Sequence, residues 1–137
     1  MNVASPGPQM KRDWLDWPFF GESHCAFAGA LDRFVASGAI AAIDHGDIDG
    51  SCRHLARSLG EAGLLDAAVA PLDGDASAID SRSVCLARET LAYHDGLTDF
   101  AFAMQGLGSG AVAIAGSDKQ RRLVLPKVRS EIGRAHV

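Results

Sequence analysis

A chain of 137 residues with 47% apolar side chains can bury one core, as a single domain or as one piece of a larger protein. Its net charge of −4, with neither sign gathered into a patch, excludes a nucleic-acid-binding footprint. No apolar run reaches the roughly 18 residues of a membrane-spanning helix, so no membrane span is expected.

Residues 1–13 carry Pro6, Pro8 and polar side chains and read as a disordered start. Met1–Pro8 lacks a basic segment leading into an apolar one, so no secretory signal is read and a cytoplasmic setting is expected. Cys25, Cys52 and Cys85 agree: an odd count, widely spaced, without C-x-x-C, predicts reduced thiols packed as small buried side chains. Trp14–Phe20 is dense in aromatic rings, and Pro18 disfavours helix at Trp17. These rings are expected to pack on the first helix.

That helix is predicted over 21–37, with Phe27, Leu31, Phe34 and Val35 at helical spacing and Gly38 as its stop. A second covers 47–62, with Ile48, Cys52, Leu55 and Leu59 on one stripe and Arg53, His54, Arg57 and Ser58 away from it. Gly63 ends it, Leu64 and Leu65 turn back to the core, and 67–78 reads as a connection. Asp80 or Ser81 caps a third helix that runs to His94 with Leu86, Ala87 and Leu91 inside, and Asp95–Gly96 breaks it. Thr98 caps a fourth helix through Met104 and Leu107 to Ala115. Gly106, Gly108 and Gly110 each weaken that helix by about 1 kcal/mol against Ala, so a packing reason is expected. Gly116 suits a helix end with positive φ. Ser117 with Gln120 is a capping box that opens a fifth helix, and Pro126 should stop that helix after Leu125. The fold class is all-α, an orthogonal bundle of about five helices with no strand.

Chemical motifs are thin. Gly106–Ala111 satisfies G-x-G-x-x-A, but a dinucleotide fold needs a βαβ unit and an acid about 20 residues on. The nearest such acid is Glu131 and no strand precedes, so close helix packing is the better reading. His45, Asp47 and Asp49 mimic part of a calcium loop, yet the closing Glu would fall at Ser58. An acid-rich helix start accounts for them, and no metal is expected. Glu89, His94 and Asp95 could pair as acid and base, but no nucleophile or oxyanion donor accompanies them. Lys119, Arg121, Arg122, Lys127 and Arg129 form a small interrupted basic cluster, expected to be a solvated face.

Taken in order, several pieces resemble the N-terminal helical domain of acyl-CoA dehydrogenases. They are Leu86–Ala92 with His94-Asp95-Gly96, then Gln105–Gly108, then Ala115–Asp118 with Gln120, then Leu125-Pro126. Upstream, Leu59–Leu64 and Trp17–Phe20 also match, so the resemblance covers residues 15–129. It implies an oxidoreductase that uses FAD to introduce an α,β double bond into an acyl-CoA thioester. A glutamate takes the α proton, hydride goes to the flavin, and electrons pass to an electron-transfer flavoprotein. The catalytic base and the flavin site lie in other domains of that family, so no catalytic and no cofactor-binding residue is assigned here. The resemblance implies that the N-terminal domain walls part of the acyl pocket. Gln105, Ser109, Val112 and Ala113 are the candidate lining residues, with an internal core role equally open. The parent would be a homo-oligomer, and the domain alone inactive. Two other readings remain: a self-contained helical protein-interaction module, or part of a related flavin oxidase or monooxygenase.

The last residues, Glu131–Val137, resemble a translated short-read sequencing adapter (ATC-GGA-AGA-GCA-CAC-GTC fits 132–137). The expected organisation is therefore 1–13 disordered, 14–130 helical domain of an incomplete protein, and 131–137 adapter-derived. His136 is given no functional weight.

Overall fold

The structure, a computed structural model, describes residues 10–73 and 78–130. The expected adapter-derived tail lies outside them. Among the described residues every regular element is helical: α1 (Glu22–Ala36), α2 (Ile48–Glu61), α3 (Ser81–His94), α4 (Gly96–Ala115) and α5 (Asp118–Ser130). Short 3-10 turns at Asp13–Asp16 and Leu64–Ala67 complete it. The all-α expectation of five helices holds.

α4 is the hub, packing on α3, α2 and α5, while α1 closes against α3. The core joins Leu31 and Phe34 of α1, Leu55 and Leu59 of α2, Leu86 and Leu91 of α3, Phe102 of α4 and Leu125 of α5. Leu64, Leu65, Val69 and Ala70 fill its base. The stretch from Ala68 to Ala70, expected as mere connection, is thus a buried floor. Gly38 and Gly63 follow α1 and α2 with φ of 89° and 71°, the left-handed region that glycine enters without a Cβ penalty.

Several expectations are corrected. Ile48 is exposed, and Ser51 and Ala56 share the buried face of α2 with Leu55 and Leu59. Gly116 ends α4 in an extended conformation, φ −71° and ψ 148°, not at positive φ. The Ser117–Gln120 box does form: Ser117 N–H donates to Gln120 Oε1 at 2.8 Å, and Gln120 N–H to Ser117 Oγ at 3.3 Å. α5 then runs through Pro126 to Ser130. A proline there removes one backbone donor. Core contacts on both sides override that loss: Leu125 is fully buried, Val128 packs on the core, and Arg129 Nε donates to Asp66 Oδ1 at 2.8 Å.

Residue 12 was expected in a disordered start. Instead Arg12 Nη1 reaches both carboxylate oxygens of Asp32, at 2.9 and 3.0 Å, and its Nη2 donates to Thr90 Oγ1 at 2.7 Å. That forked contact fastens the leading segment to α1 and α3. Of the aromatic rings, Trp14 and Phe20 pack on the core as expected, but Trp17 and Phe19 stand out in solvent.

Candidate functional site

α4 begins one turn earlier than its sequence suggests. Asp95, not Thr98, is the cap: its Oδ1 accepts from the backbone N–H of Leu97 at 2.9 Å and of Thr98 at 3.1 Å. Thr98 is buried inside the first turn. The other oxygen of Asp95 meets His45 Nε2 at 3.1 Å, which ties the loop before α2 to the start of α4.

The helix is apolar on both sides. Thr98, Ala101, Phe102, Ser109 and Ala113 face the core. Phe100, Met104, Leu107 and Ile114 face outward, Leu107 at 72% and Ile114 at 74% exposure. With Ala111 they recur at alternating steps of four and three, one continuous stripe about 20 Å long. A helix apolar all round is ordinarily one that is buried on every side. Among the described residues nothing covers the stripe.

The four candidate lining residues split. Ser109 and Ala113, each 2% exposed, point into the domain's own core. Ser109 Oγ donates to the Gln105 carbonyl at 2.7 Å, so its hydroxyl is satisfied by its own helix. Gln105 and Val112 are half-buried and lie round the helix from the stripe, towards the core side, and Gln105 Nε2 donates to the Ala101 carbonyl at 2.9 Å. Phe100, Leu107 and Ile114, which the structure exposes on α4, were not among the sequence candidates. Their outward register was the missing information.

The other candidates disperse. Asp47 caps α2 by accepting from Gly50 N–H at 2.9 Å, Asp49 pairs with Arg53, and His45 goes to Asp95. No group of potential metal ligands gathers among the described residues. Glu89 is exposed, while His94 packs edge-on against Tyr93. Arg88 Nε and Nη2 grip Asp99 at 2.9 and 2.8 Å, and that hydrogen bonding to a carboxylate raises the arginine's pKa. Cys25 and Cys85 are exposed rather than buried, on helix faces turned from the core.

Sequence reasoning offered Asp80 as a cap of α3 but missed the polar cluster around it. His24 of α1 is buried, accepts from Gly21 N–H at Nδ1 (2.9 Å), and therefore donates from Nε2 to Asp80 Oδ2 at 2.6 Å. Asp80 also caps α3 and receives Arg82 Nε at 3.0 Å and Ser83 Oγ at 3.1 Å. Desolvation pushes its carboxyl up. The donors from Arg82, His24 and Ser83 outweigh that and hold it well below the usual carboxylate range. Histidine, aspartate and serine meet here, but the serine donates to the carboxylate and not to the imidazole. No activated nucleophile results. The cluster is a joint between α1 and α3.

The model of the acyl-CoA dehydrogenase N-terminal domain matches residues 21–131. The chain belongs to that family. No curated protein matches it. The match takes in all five helices, so the hub helix and the aspartate that caps it are parts of an acyl-CoA dehydrogenase N-terminal domain.

The family is generally FAD-dependent, and the described residues of this domain do not fit a flavin. Gly106–Ala111 lies in the middle of α4, where backbone N–H groups are spent on the helix itself. A Cβ built on Gly106 would stand 2.9 Å from the Ala68 carbonyl oxygen, so that glycine admits a neighbouring backbone rather than a pyrophosphate. Gly108 and Gly110 have nothing within 4 Å of a Cβ. The expected packing reason therefore exists at one of the three glycines. No helix of the described chain is long and apolar enough to cross a membrane.

Proposed function

We propose that this domain forms one wall of the acyl pocket of an FAD-dependent acyl-CoA dehydrogenase, which would oxidise a CH–CH bond of an acyl-CoA thioester. The observation that carries the reading is the outward stripe of α4. In a chain of this family, Phe100, Met104, Leu107, Ala111 and Ile114 offer an apolar surface that the domain's own described residues leave uncovered. An acyl chain needs such a surface, because each buried methylene contributes about 0.8 kcal/mol. Gln105, Ser109, Val112 and Ala113 lie on the opposite side of α4 and support that wall from behind. Gly108 and Gly110 leave it open to close approach.

In this reading the flavin and the proton-abstracting carboxylate come from outside residues 10–130. The domain alone is inactive and does not retain FAD. The electron acceptor would be an electron-transfer flavoprotein, and the working enzyme a homo-oligomer in the cytoplasm.

Two measurements test this. Purified chain should show no visible flavin absorbance, and a stoichiometric yellow complex would refute the division of labour. In an acyl-CoA dehydrogenase that carries this domain, Leu107→Glu should raise KM for acyl-CoA by roughly tenfold or more, as loss of about 1.4 kcal/mol of contact implies. Unchanged KM for every acyl length would remove α4 from the pocket.

A further inference from the structure

A second surface, remote in sequence from α4, has the chemistry of a cation-binding site. Trp14, Trp17, Phe19, Phe20 and Asp13 line an open hollow of about 660 Å³ at the leading segment. Its walls are not a stack. Trp14 and Phe20 lie 5.2 Å apart with planes at 51°, and Phe19 stands edge-on to Phe20 at 5.1 Å and 88°. Trp14 and Phe20 are anchored on the core, but Trp17 and Phe19 are 63% and 61% exposed. Covering α1 and α3 explains the first two rings, and Phe19 also meets Arg82 of α3, but nothing of that kind explains Trp17.

We propose that this hollow binds an organic cation of the quaternary ammonium class, with the ring faces as walls and Asp13 as counter-charge. The face of each aromatic ring is electronegative, and a methylated ammonium is attracted to it while losing little hydration. Asp13 enters no ion pair among the described residues, so its carboxylate is available. One ring already holds a cation: the Arg82 guanidinium carbon sits 5.6 Å from the Phe19 centroid. Arg82 is committed elsewhere, to Asp80 at 3.0 Å and to the Phe19 carbonyl at 3.0 Å, and it does not neutralise Asp13. An anion finds only a carboxylate and π faces in this hollow. A primary ammonium finds one carboxylate for its three donors and must give up more hydration than a trimethylammonium. A trimethylammonium needs no acceptor.

The hollow is preformed. Backbone hydrogen bonds from Leu15 to Arg12, Trp17 to Trp14 and Phe20 to Trp17 set the turn at 2.9, 3.1 and 3.0 Å. The Arg12 fork to Asp32 and Thr90 fixes the segment on α1 and α3. Little ordering remains to oppose binding. The site is independent of the acyl-CoA reading and shares no residue with α4.

Both tryptophans of the chain lie in this hollow, so tryptophan fluorescence reports on it alone. The probe is choline, titrated into the purified chain at constant ionic strength. Its neutral carbon isostere, with a tert-butyl group in place of trimethylammonium, serves as control. Choline should give a saturable change, and the isostere should bind about two- to fivefold more weakly, the range of an exposed cation–π contact. Asp13→Asn should weaken choline severalfold, and Trp17→Ala should abolish the saturable signal from Trp14. Both residues are exposed, so both variants should keep the helical far-UV spectrum and the melting temperature. Absence of saturation with choline, equal binding of the isostere, or folded variants that bind as the parent does would each overturn the proposal.

Discussion

The three glycines of α4 give a sharp test of how this helix is built. In a helix interior, glycine to alanine ordinarily stabilises by about 1 kcal/mol, because alanine loses less backbone freedom on folding. At Gly108 and Gly110 a new Cβ would meet nothing within 4 Å, so each substitution should realise that gain. At Gly106 the Cβ would meet the Ala68 carbonyl oxygen at 2.9 Å and the Ala68 Cβ at 3.4 Å. Ala68 sits in the buried floor and its carbonyl is backbone, so the clash can be relieved only by moving α4 or the floor. Overpacking of that kind costs about 1–3 kcal/mol, which leaves Gly106→Ala between neutral and about 2 kcal/mol destabilised. The contrast between Gly106→Ala and Gly108→Ala should then be about 1–3 kcal/mol. Urea denaturation followed by the helical far-UV signal measures it, with m-values held equal. A Gly106→Ala variant as stable as Gly108→Ala would show that α4 does not press on the floor.

Three further outcomes follow from named contacts. Asp80 has a folded-state pKa depressed below the ordinary value near 4, so its stabilisation is complete above that pH and is lost as pH falls through the folded pKa. Asp80→Asn should therefore be destabilised by about 1 kcal/mol at neutral pH, the low end for a charge-assisted hydrogen bond partly in water, and its thermal deficit should shrink below about pH 4. Arg12→Ala should lose about 1–2 kcal/mol of local attachment and expose the leading segment to limited proteolysis ahead of α1, while weakening choline binding. Leu107→Glu in the isolated chain should cut apolar-dye fluorescence and self-association measured by sedimentation, with stability changed by less than about 0.5 kcal/mol.

Where local chemistry decides the structure, the sequence was legible. Ser117 and Gln120 are three apart and bond reciprocally, and Asp80 caps α3, because side chain and backbone are covalent neighbours. Where distant packing decides it, local rules failed. Pro126 looked like a stop, and Leu125 and Val128 hold the helix together across it. Asp95 looked like a breaker of α3, and it is that and the cap of α4 at once, since its extended backbone joins two helices in succession. Arg12 and His24 carried no local signal at all. Their partners are Asp32, Thr90 and Asp80, far along the chain, and only the α1–α3 contact brings them together.

The exposed face of α4 was hard to read for a related reason. An apolar helix with periodic large residues on two faces does not say which face the domain keeps for itself. In α4 the inward face is built from small and hydroxylated side chains around one large ring: Ala101, Ser109 and Ala113 with Phe102. These let α2, α3 and α5 approach closely. The large flexible side chains, Met104, Leu107 and Ile114, are left outside. This inverts the usual arrangement, in which the bulkiest apolar residues make the core. The inversion leaves the larger apolar side chains of α4 on its outer face, the surface that the proposed acyl pocket would use.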